Sequence, residues 1–335
     1  MKAAQIDRYG KMEDVVVRDV PRPHPAEGQV LVKVAAAAVN PLDLLNLTGA
    51  VKLVQDYPMP LTLGNELAGT IEELGSGVSD LKPGDHVYAR LPLDHIGAFA
   101  EYVAVDADAL APVPAGLDMD VAATVPLTGL TAWQALTEEL EAKPGQRLLV
   151  TGGSGSLGQM VVPIAKELGL TVIVTGNEAA RDRTLALGAD TYLDYRTQDF
   201  ATVLANDPVD AIVDTLGDEA IPSELSVLKR GGRLLSLRGT PNGEFAKRAG
   251  LPLVKRGLFR LAGSKIDKLA RSQGKEYRFM FVRSSGEQLR RVSEIVERRA
   301  LRPAVDEHEF GLDDIREALA LVATGHPTGK VIVHP

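Results

Sequence analysis

The sequence predicts an α/β protein with two domains, one rich in β-strands and one built on a parallel sheet. Three observations carry this. The chain has 335 residues, about two domains' worth and enough to bury sizeable cores. Over roughly the first 120 residues, short apolar segments are bounded by Gly and Pro turns, as in Val30–Val34 and Leu67–Ile71. From about Val121 to Gly263, apolar runs alternate with helix-spaced stripes, the mark of a parallel sheet covered on both faces.

Composition narrows the class further. Hydrophobic residues make up 45% and charged residues 24%, which excludes a disordered chain. The 32 glycines and 20 prolines exceed the usual share and imply many turns. Cysteine is absent, so disulfides, zinc–thiolate sites, iron–sulfur clusters and thiol nucleophiles are excluded. A net charge of −8 argues against nucleic acid or an anionic membrane as partner for the surface as a whole. Asp7 and Arg8 interrupt the N-terminal segment where a signal peptide would need an apolar core. The long charge-free stretch Leu148–Ala165 contains several glycines and Pro163, unlike a membrane span. A cytoplasmic protein is expected.

The elements follow in order. Gly75-Ser76-Gly77 and Lys82-Pro83-Gly84-Asp85 are turns between strands of the first domain. Arg147–Thr151 reads as a strand, followed by a helical stripe at Leu157, Met160, Val161, Ile164, Ala165 and Leu168. Strands at Thr171–Thr175, Thr191–Leu193, Ala211–Thr215 and Arg233–Leu237 alternate with helices through Leu185 and near Phe200–Leu204 and Leu225–Leu228. The basic segment Glu244–Arg278 matches the helical period poorly and reads as an irregular connection. Phe279–Val282 reads as a strand, Glu287–Arg299 and Leu312–Thr324 as helices, and Lys330–Val333 as a last strand.

The most informative motif is Gly153-Ser154-Gly155-Ser156-Leu157-Gly158. G-x-G-x-x-G alone is weak, but here it joins a strand ending at Thr151 to an amphipathic helix starting near Ser156. In that context the glycines let the backbone turn sharply and approach a pyrophosphate, which the helix N-terminus stabilises. Gly153, Ser154, Gly155, Ser156 and Leu157 are therefore cofactor-binding candidates. The second strand then runs Val174-Thr175-Gly176-Asn177, with no acid at its tip to accept from a ribose hydroxyl. Arg181 and Arg183 follow, and Tyr195-Arg196 stand at the end of the third strand. A missing acid with arginines nearby is the signature of a 2′-phosphate site, so NADPH is the expected cofactor, with Gly176, Asn177, Arg181 and Tyr195 around the phosphate. Solvated helix charges are the alternative role for these arginines.

Further motifs carry a resemblance. They are Val39-Asn40-Pro41-Leu42-Asp43, Gly64-Asn65-Glu66-Leu67-Ala68-Gly69, Gly84-Asp85-His86-Val87, Gly97–Tyr102, Thr128-Gly129-Leu130-Thr131-Ala132 and Gly329-Lys330. With the glycine turn, and in this order, they resemble the medium-chain dehydrogenase/reductase superfamily, in its zinc-independent quinone oxidoreductase (zeta-crystallin-like) branch. The resemblance spans nearly the whole chain. It implies a GroES-like β-barrel catalytic domain over residues 1–122 and 272–335, and a doubly wound Rossmann domain over 123–271 that binds NADP. It also implies an active site in the interdomain cleft, and a homodimer paired through the edge strands of the Rossmann sheets, near Arg233–Leu237 and the segment after it. An exposed edge strand needs such a partner or a cover.

The departures from zinc-dependent alcohol dehydrogenases decide the chemistry. Those enzymes have Cys near Asp43 and His where Asn65 stands, and the six His here show no i, i+4 pairing. No metal is expected. Hydride transfer must then rely on hydrogen bonds to an enolate or quinol oxygen, which suits conjugated acceptors.

The resemblance implies that Asn40 and Thr128 lie beside the nicotinamide, with Asn40 able to donate to a carbonyl. Asp43 either orients a water or substrate or caps the helix after it. Asn40 could equally be a turn residue before Pro41, and Thr128 a helix N-terminal residue. Leu216, Phe281, Val282 and Lys330 complete the cofactor set implied. Tyr57 and Tyr88 are proton-donor candidates by chemistry alone. The expected function is an NADPH-dependent reductase of quinones or α,β-unsaturated carbonyls acting on a small molecule, without nucleic acid or membrane. An alkenal or enoyl reductase, or a dinucleotide-binding sensor or structural protein without turnover, are the alternatives.

Overall fold

Apolar runs such as Leu148-Leu149-Val150 are buried on both sides, which only a sheet covered on both faces allows. The computed structural model describes residues 1–335. In chain order its elements are β1 (Lys2–Ile6), β2 (Val16–Asp19), β3 (Gln29–Ala38), α1 (Pro41–Thr48), β4 (Leu61–Thr62), β5 (Glu66–Leu74), β6 (His86–Arg90), β7 (Tyr102–Asp106) and β8 (Ala111–Pro112). Then come α2 (Met119–Ala123), α3 (Pro126–Gln134), β9 (Arg147–Thr151), α4 (Gly158–Glu167), β10 (Thr171–Gly176), α5 (Arg181–Ala186), β11 (Thr191–Asp194), α6 (Phe200–Val203) and β12 (Val209–Asp214). The rest are α7 (Ile221–Ser226), β13 (Leu228–Ser236), α8 (Gly243–Arg248), α9 (Leu253–Ala262), α10 (Ser264–Ser272), β14 (Glu276–Phe279), α11 (Gly286–Arg298), β15 (Phe310–Gly311), α12 (Ile315–Thr324) and β16 (Ile332–His334).

Two compact units result. The first joins Met1–Leu130 to Arg283–Pro335. It contains a three-stranded sheet, β2-β1-β4, and a seven-stranded sheet ordered β15-β16-β3-β5-β6-β8, with β7 on β3. The last strand, β16, pairs antiparallel with β3 through Ile332 and Ala38. The C-terminal segment therefore completes a sheet begun near the N-terminus. Its core gathers Ile6, Val32, Leu47, Leu63, Leu67, Ile71 and Phe99.

The second unit, Thr131–Val282, is a six-stranded parallel sheet ordered β11-β10-β9-β12-β13-β14. The chain leaves β9 toward β10 and β11, then returns to place β12 on the other side of β9. That reversal makes a crevice at the carboxyl ends of β9 and β12, the place where such sheets bind ligands.

Three expectations need correction. Glu244–Arg278 is not irregular: it folds as α8, α9, α10 and β14. Pro252, Gly257 and Gly263 interrupt the apolar spacing and hide the helical period. The strand expected at Phe279–Val282 lies earlier, at Glu276–Phe279, because Tyr277 and Phe279 are the inward residues of an alternating stretch. Finally, Arg233–Leu237 is no edge: β13 has β12 on one side and β14 on the other, and β14 is the sheet's edge.

Candidate functional site

The glycine turn sits where the reversal predicts. Thr151 ends β9, and ten-residue α4 starts at Gly158, two residues later than the sequence pattern suggests. The turn is tied to its neighbours: Gly153 N–H donates to Thr175 O at 3.0 Å, and Thr215 Oγ1 donates to Thr151 O at 2.8 Å. A Cβ on Gly158 would lie 1.7 Å from Gly153 O, so helix and turn approach as only glycine permits. A Cβ on Gly155 would meet nothing within 4 Å. That open space lies at the N-terminal end of α4, where the helix dipole favours an anion. A pyrophosphate fits such a cradle.

Beside it, the tip of β10 is crowded by Ser154 and Tyr192. A Cβ on Gly176 would come within 2.2 Å of Tyr192 Oη and 2.5 Å of Ser154 Cβ, while Tyr192 Oη donates to Asn177 O at 2.6 Å. The structure brings Arg183 to the turn, where its Nη2 donates to Ser154 O at 3.1 Å. Arg181 instead donates from Nε to both oxygens of Glu178, at 2.8 and 2.9 Å, and from Nη1 to Tyr192 O at 3.2 Å. Tyr195 is exposed, with the Arg196 guanidinium 5.8 Å from its ring centroid. An acid that sequence reasoning passed over, Asp194, stands opposite Gly176 in the register. Its carboxylate turns back to accept from Arg196 N–H at 3.1 Å. Leu216 lies half-exposed after β12, its N–H donating to Asp214 Oδ1 at 2.6 Å. Phe281 packs with Phe245 and Phe279, ring centroids 5.9 and 5.7 Å away, and Val282 is buried beside it in sequence.

Under the turn lies a second group that the sequence did not announce. Glu224 Oε1 accepts from Thr151 Oγ1 at 2.6 Å, and Asp214 Oδ2 accepts from Ser236 Oγ at 2.5 Å. All four side chains are buried. Burial, with Asp214 adding to it, pushes the Glu224 carboxyl up to about 8, so it is mostly neutral at pH 7. Asp214 also accepts from Gly217 N–H at 3.1 Å, and so shapes the turn bearing Leu216.

In the first unit the motif residues form a closed polar cluster. Asn40 Nδ2 donates to Glu66 Oε1 at 2.9 Å and to Ala38 O at 3.1 Å. Lys330 Nζ donates to Asn40 Oδ1 at 2.5 Å and stands 2.9 Å from Glu66 Oε1. The other Glu66 oxygen accepts from Leu127 N–H at 2.6 Å. Asp43 is the third residue of α1, which starts at Pro41 and so does not follow Asp43 as an N-cap role would require, and its Oδ2 accepts from Asn40 N–H at 2.7 Å. Its other oxygen accepts from Asn65 Nδ2 at 2.6 Å. Burial pushes the Asp43 carboxyl up to about 7, against the pull of those two donors. Thr128 Oγ1 bonds back to Thr124 O at 3.0 Å.

The two tyrosines are engaged elsewhere. Tyr57 Oη donates to Leu93 O at 2.8 Å, and Tyr88 Oη shares a 2.6 Å hydrogen bond with Ser293. Burial raises the pKa of both, which opposes ionisation. Sequence reasoning also missed Arg90. It is fully buried, with Nη1 on Leu91 O and with Nε and Nη2 unpartnered. Burial pulls its pKa down to about 10.

A parallel sheet with a glycine turn at its reversal point defines the class: a chain with a dinucleotide-binding α/β unit and a β-rich unit. Comparisons with known proteins narrow this. Residues 26–115 match the alcohol dehydrogenase GroES-like domain, and residues 187–333 match a family described as zinc-binding dehydrogenase. The chain is 34% identical to the mitochondrial NAD(P)H oxidoreductase RTN4IP1 of Danio rerio, over 99% of this chain and 91% of that one. It is 31% identical to the chloroplastic NADPH-dependent alkenal/one oxidoreductase of Arabidopsis thaliana, over 100% of this chain and 80% of the relative. The solved quinone oxidoreductase of Coxiella burnetii superposes with a TM-score of 0.83 at 29% identity, covering 100% and 99% of the two chains. The chain belongs to the medium-chain dehydrogenase/reductase superfamily, in its quinone oxidoreductase branch.

The zinc named in the second family's description does not fit the donor set here. The chain has no cysteine, and the Asn65 amide is spent on Asp43. No three His, Asp or Glu side chains converge as metal ligands. A dinucleotide does fit, through the open space at Gly155 and the helix end behind it.

Proposed function

We propose that the protein is an NADPH-dependent reductase of quinones or α,β-unsaturated carbonyls that works without a metal. The observation that carries this is the cradle at Gly155 together with a family motif cluster whose amides, lysine and carboxylates are bonded to one another. When bound, the reduced nicotinamide supplies a hydride. Gly153, Ser154, Gly155, Ser156 and Leu157 hold the pyrophosphate. Gly176 and Asn177 line the adenosine end, where Arg183, Arg181 and Tyr195 meet the 2′-phosphate. Arg183 is drawn into this set by its bond to Ser154 O, and Arg181 braces Tyr192 from the side.

At the acceptor, we assign Asn40 and Thr128 to the carbonyl or quinone oxygen, each exchanging an internal hydrogen bond, to Ala38 O and to Thr124 O, for one to the acceptor, with Asp43 as a positioning residue that holds Asn40 and Asn65. Lys330 supports this by placing a cation on Asn40 Oδ1, which polarises the amide toward an oxygen that gains negative charge. Leu216, Phe281 and Val282 supply apolar contact to the cofactor. Conjugated acceptors follow from the chemistry, because hydride addition to them leaves charge on an oxygen that hydrogen bonds can hold without a Lewis acid. The relatives named as alkenal/one and quinone oxidoreductases support the same substrate class.

A homodimer in the cytoplasm completes the proposal. Support for pairing comes from β14, which has a neighbour only on its β13 side. No helix is long and apolar enough to cross a membrane. Sedimentation at micromolar concentration tests the first point, and a 35.8 kDa species alone contradicts it. Steady-state oxidation of NADPH with quinone and enone acceptors tests the activity. Tight NADPH binding with no turnover on any acceptor returns the protein to a sensor or structural role.

A further inference from the structure

Whole-chain charge conceals a strong local segregation. Between Gly243 and Ser272 there are eight Lys and Arg against two acids, Glu244 and Asp267, in a chain of net charge −8. In the middle lies α9. Its Leu253, Val254, Leu258 and Leu261 are 80, 77, 52 and 75% exposed, whereas Phe259 is buried and anchors the helix to Phe245, ring centroids 6.0 Å apart. At roughly 100° per residue the four exposed residues and Gly257 fall on one continuous arc. Lys255 borders that arc on one side and Arg260 on the other. Lys265 and Lys268 are exposed on α10, which follows α9 after Gly263 alone. Leaving large aliphatic side chains in water over three turns of helix is costly, and nothing in the unit covers them.

We propose that α9 is a docking helix for the surface of an anionic phospholipid bilayer. An exposed aliphatic arc between cations, on a helix too short to span, is the pattern of a helix lying in the membrane interface. The arc enters the acyl boundary while Lys255, Arg260, Lys265 and Lys268 meet the lipid phosphates. A second copy of this chain is a poorer occupant, since it would bring two like-charged rims together. Nucleic acid would leave the aliphatic arc unburied. Docking is independent of the proposed activity; the benefit of reaching acceptors dissolved in a bilayer rests on it.

Co-sedimentation with vesicles tests this. Wild-type protein should pellet with phosphatidylcholine vesicles in which about a third of the lipid is phosphatidylglycerol, and stay in solution with phosphatidylcholine alone. High salt should release part of the bound protein. Leu258→Asp with Leu261→Asp should lower the bound-to-free ratio about tenfold or more, with thermal stability and NADPH affinity in solution unchanged. Lys255→Glu with Arg260→Glu should abolish the preference for anionic vesicles. Wild-type protein that stays in solution with the anionic vesicles overturns the proposal. So does a wild-type dimer that Leu258→Asp with Leu261→Asp converts to monomer without any change in vesicle binding.

Discussion

Lys330 Nζ and Glu66 Oε1 lie 2.9 Å apart with side chains 5 and 0% exposed, joining the C-terminal segment to β5 inside the first unit. Removing one partner of a buried ion pair costs far more than the pair contributes, because the other charge is left unsolvated. Lys330→Met should therefore destabilise the protein by about 3–5 kcal/mol, read as a shift in urea midpoint. Lys330→Met with Glu66→Gln should recover much of that loss. Equal losses in the single and double variants would mean that the charge of Glu66 is not what the lysine offsets.

The second and third glycines of the motif should separate folding from binding. Gly158→Ala forces a Cβ onto Gly153 O, so it should lower thermal stability and cofactor affinity together. Gly155→Ala puts a methyl group into open space, so stability should hold while NADPH affinity falls about tenfold or more, as a charge-assisted contact is lost. Fluorescence titration with NADPH beside thermal melts reads both. Unchanged affinity in Gly155→Ala would remove the pyrophosphate from this cradle.

Arg183 is the arginine that touches the turn, and its removal should discriminate between cofactors. Arg183→Ala should raise the KM for NADPH about tenfold, with NADH nearly unchanged, an exposed charge-assisted bond being partly screened. High salt should shrink the difference. Equal weakening of both cofactors would mark Arg183 as a prop for Ser154.

Glu224 gives the protein a pH dependence of definite sign. Its carboxyl titrates at about 8 in the fold against an ordinary 4.5. Between those values the folded state holds a proton that the unfolded chain has released. Stability from this group therefore falls as pH rises through that window and levels off above it. Asp43, raised to about 7 from 3.8, acts in the same direction over a lower range. Glu224→Gln keeps a hydrogen-bonding group beside Thr151 but cannot ionise, so its urea midpoint should fall less steeply between about pH 5 and 9. Identical slopes for variant and wild type would show that Glu224 is not the titrating group.

How much the sequence revealed depended on how local the signal was. The strands of the parallel sheet were legible because burial on both faces turns them into apolar runs, as at Leu148–Val150 and Ala211–Val213. The glycine turn was legible because close approach and a sharp reversal restrict the residue type within six positions. The cluster around Asn40 was not, since its partners Glu66 and Lys330 lie 26 and 290 residues away. Only the family resemblance marked those residues, and it said nothing of their bonds to one another. Arg90 and Glu224 left no pattern because a single buried ionisable side chain has none. Helix α9 was missed for the opposite reason. Its spacing, Val254, Leu258, Leu261, is helical, but Pro252, Gly257 and Gly263 interrupt it, and its apolar arc faces away from the core.

Reduction of conjugated acceptors by NADPH without a metal is read by steady-state oxidation of NADPH and of NADH with a panel of quinones and enones, after exhaustive dialysis against a strong chelator. Acceptor-dependent turnover should survive chelation, with kcat/KM for NADPH about tenfold or more above that for NADH. Activity lost on chelation and restored by zinc, or a preference for NADH, would contradict it.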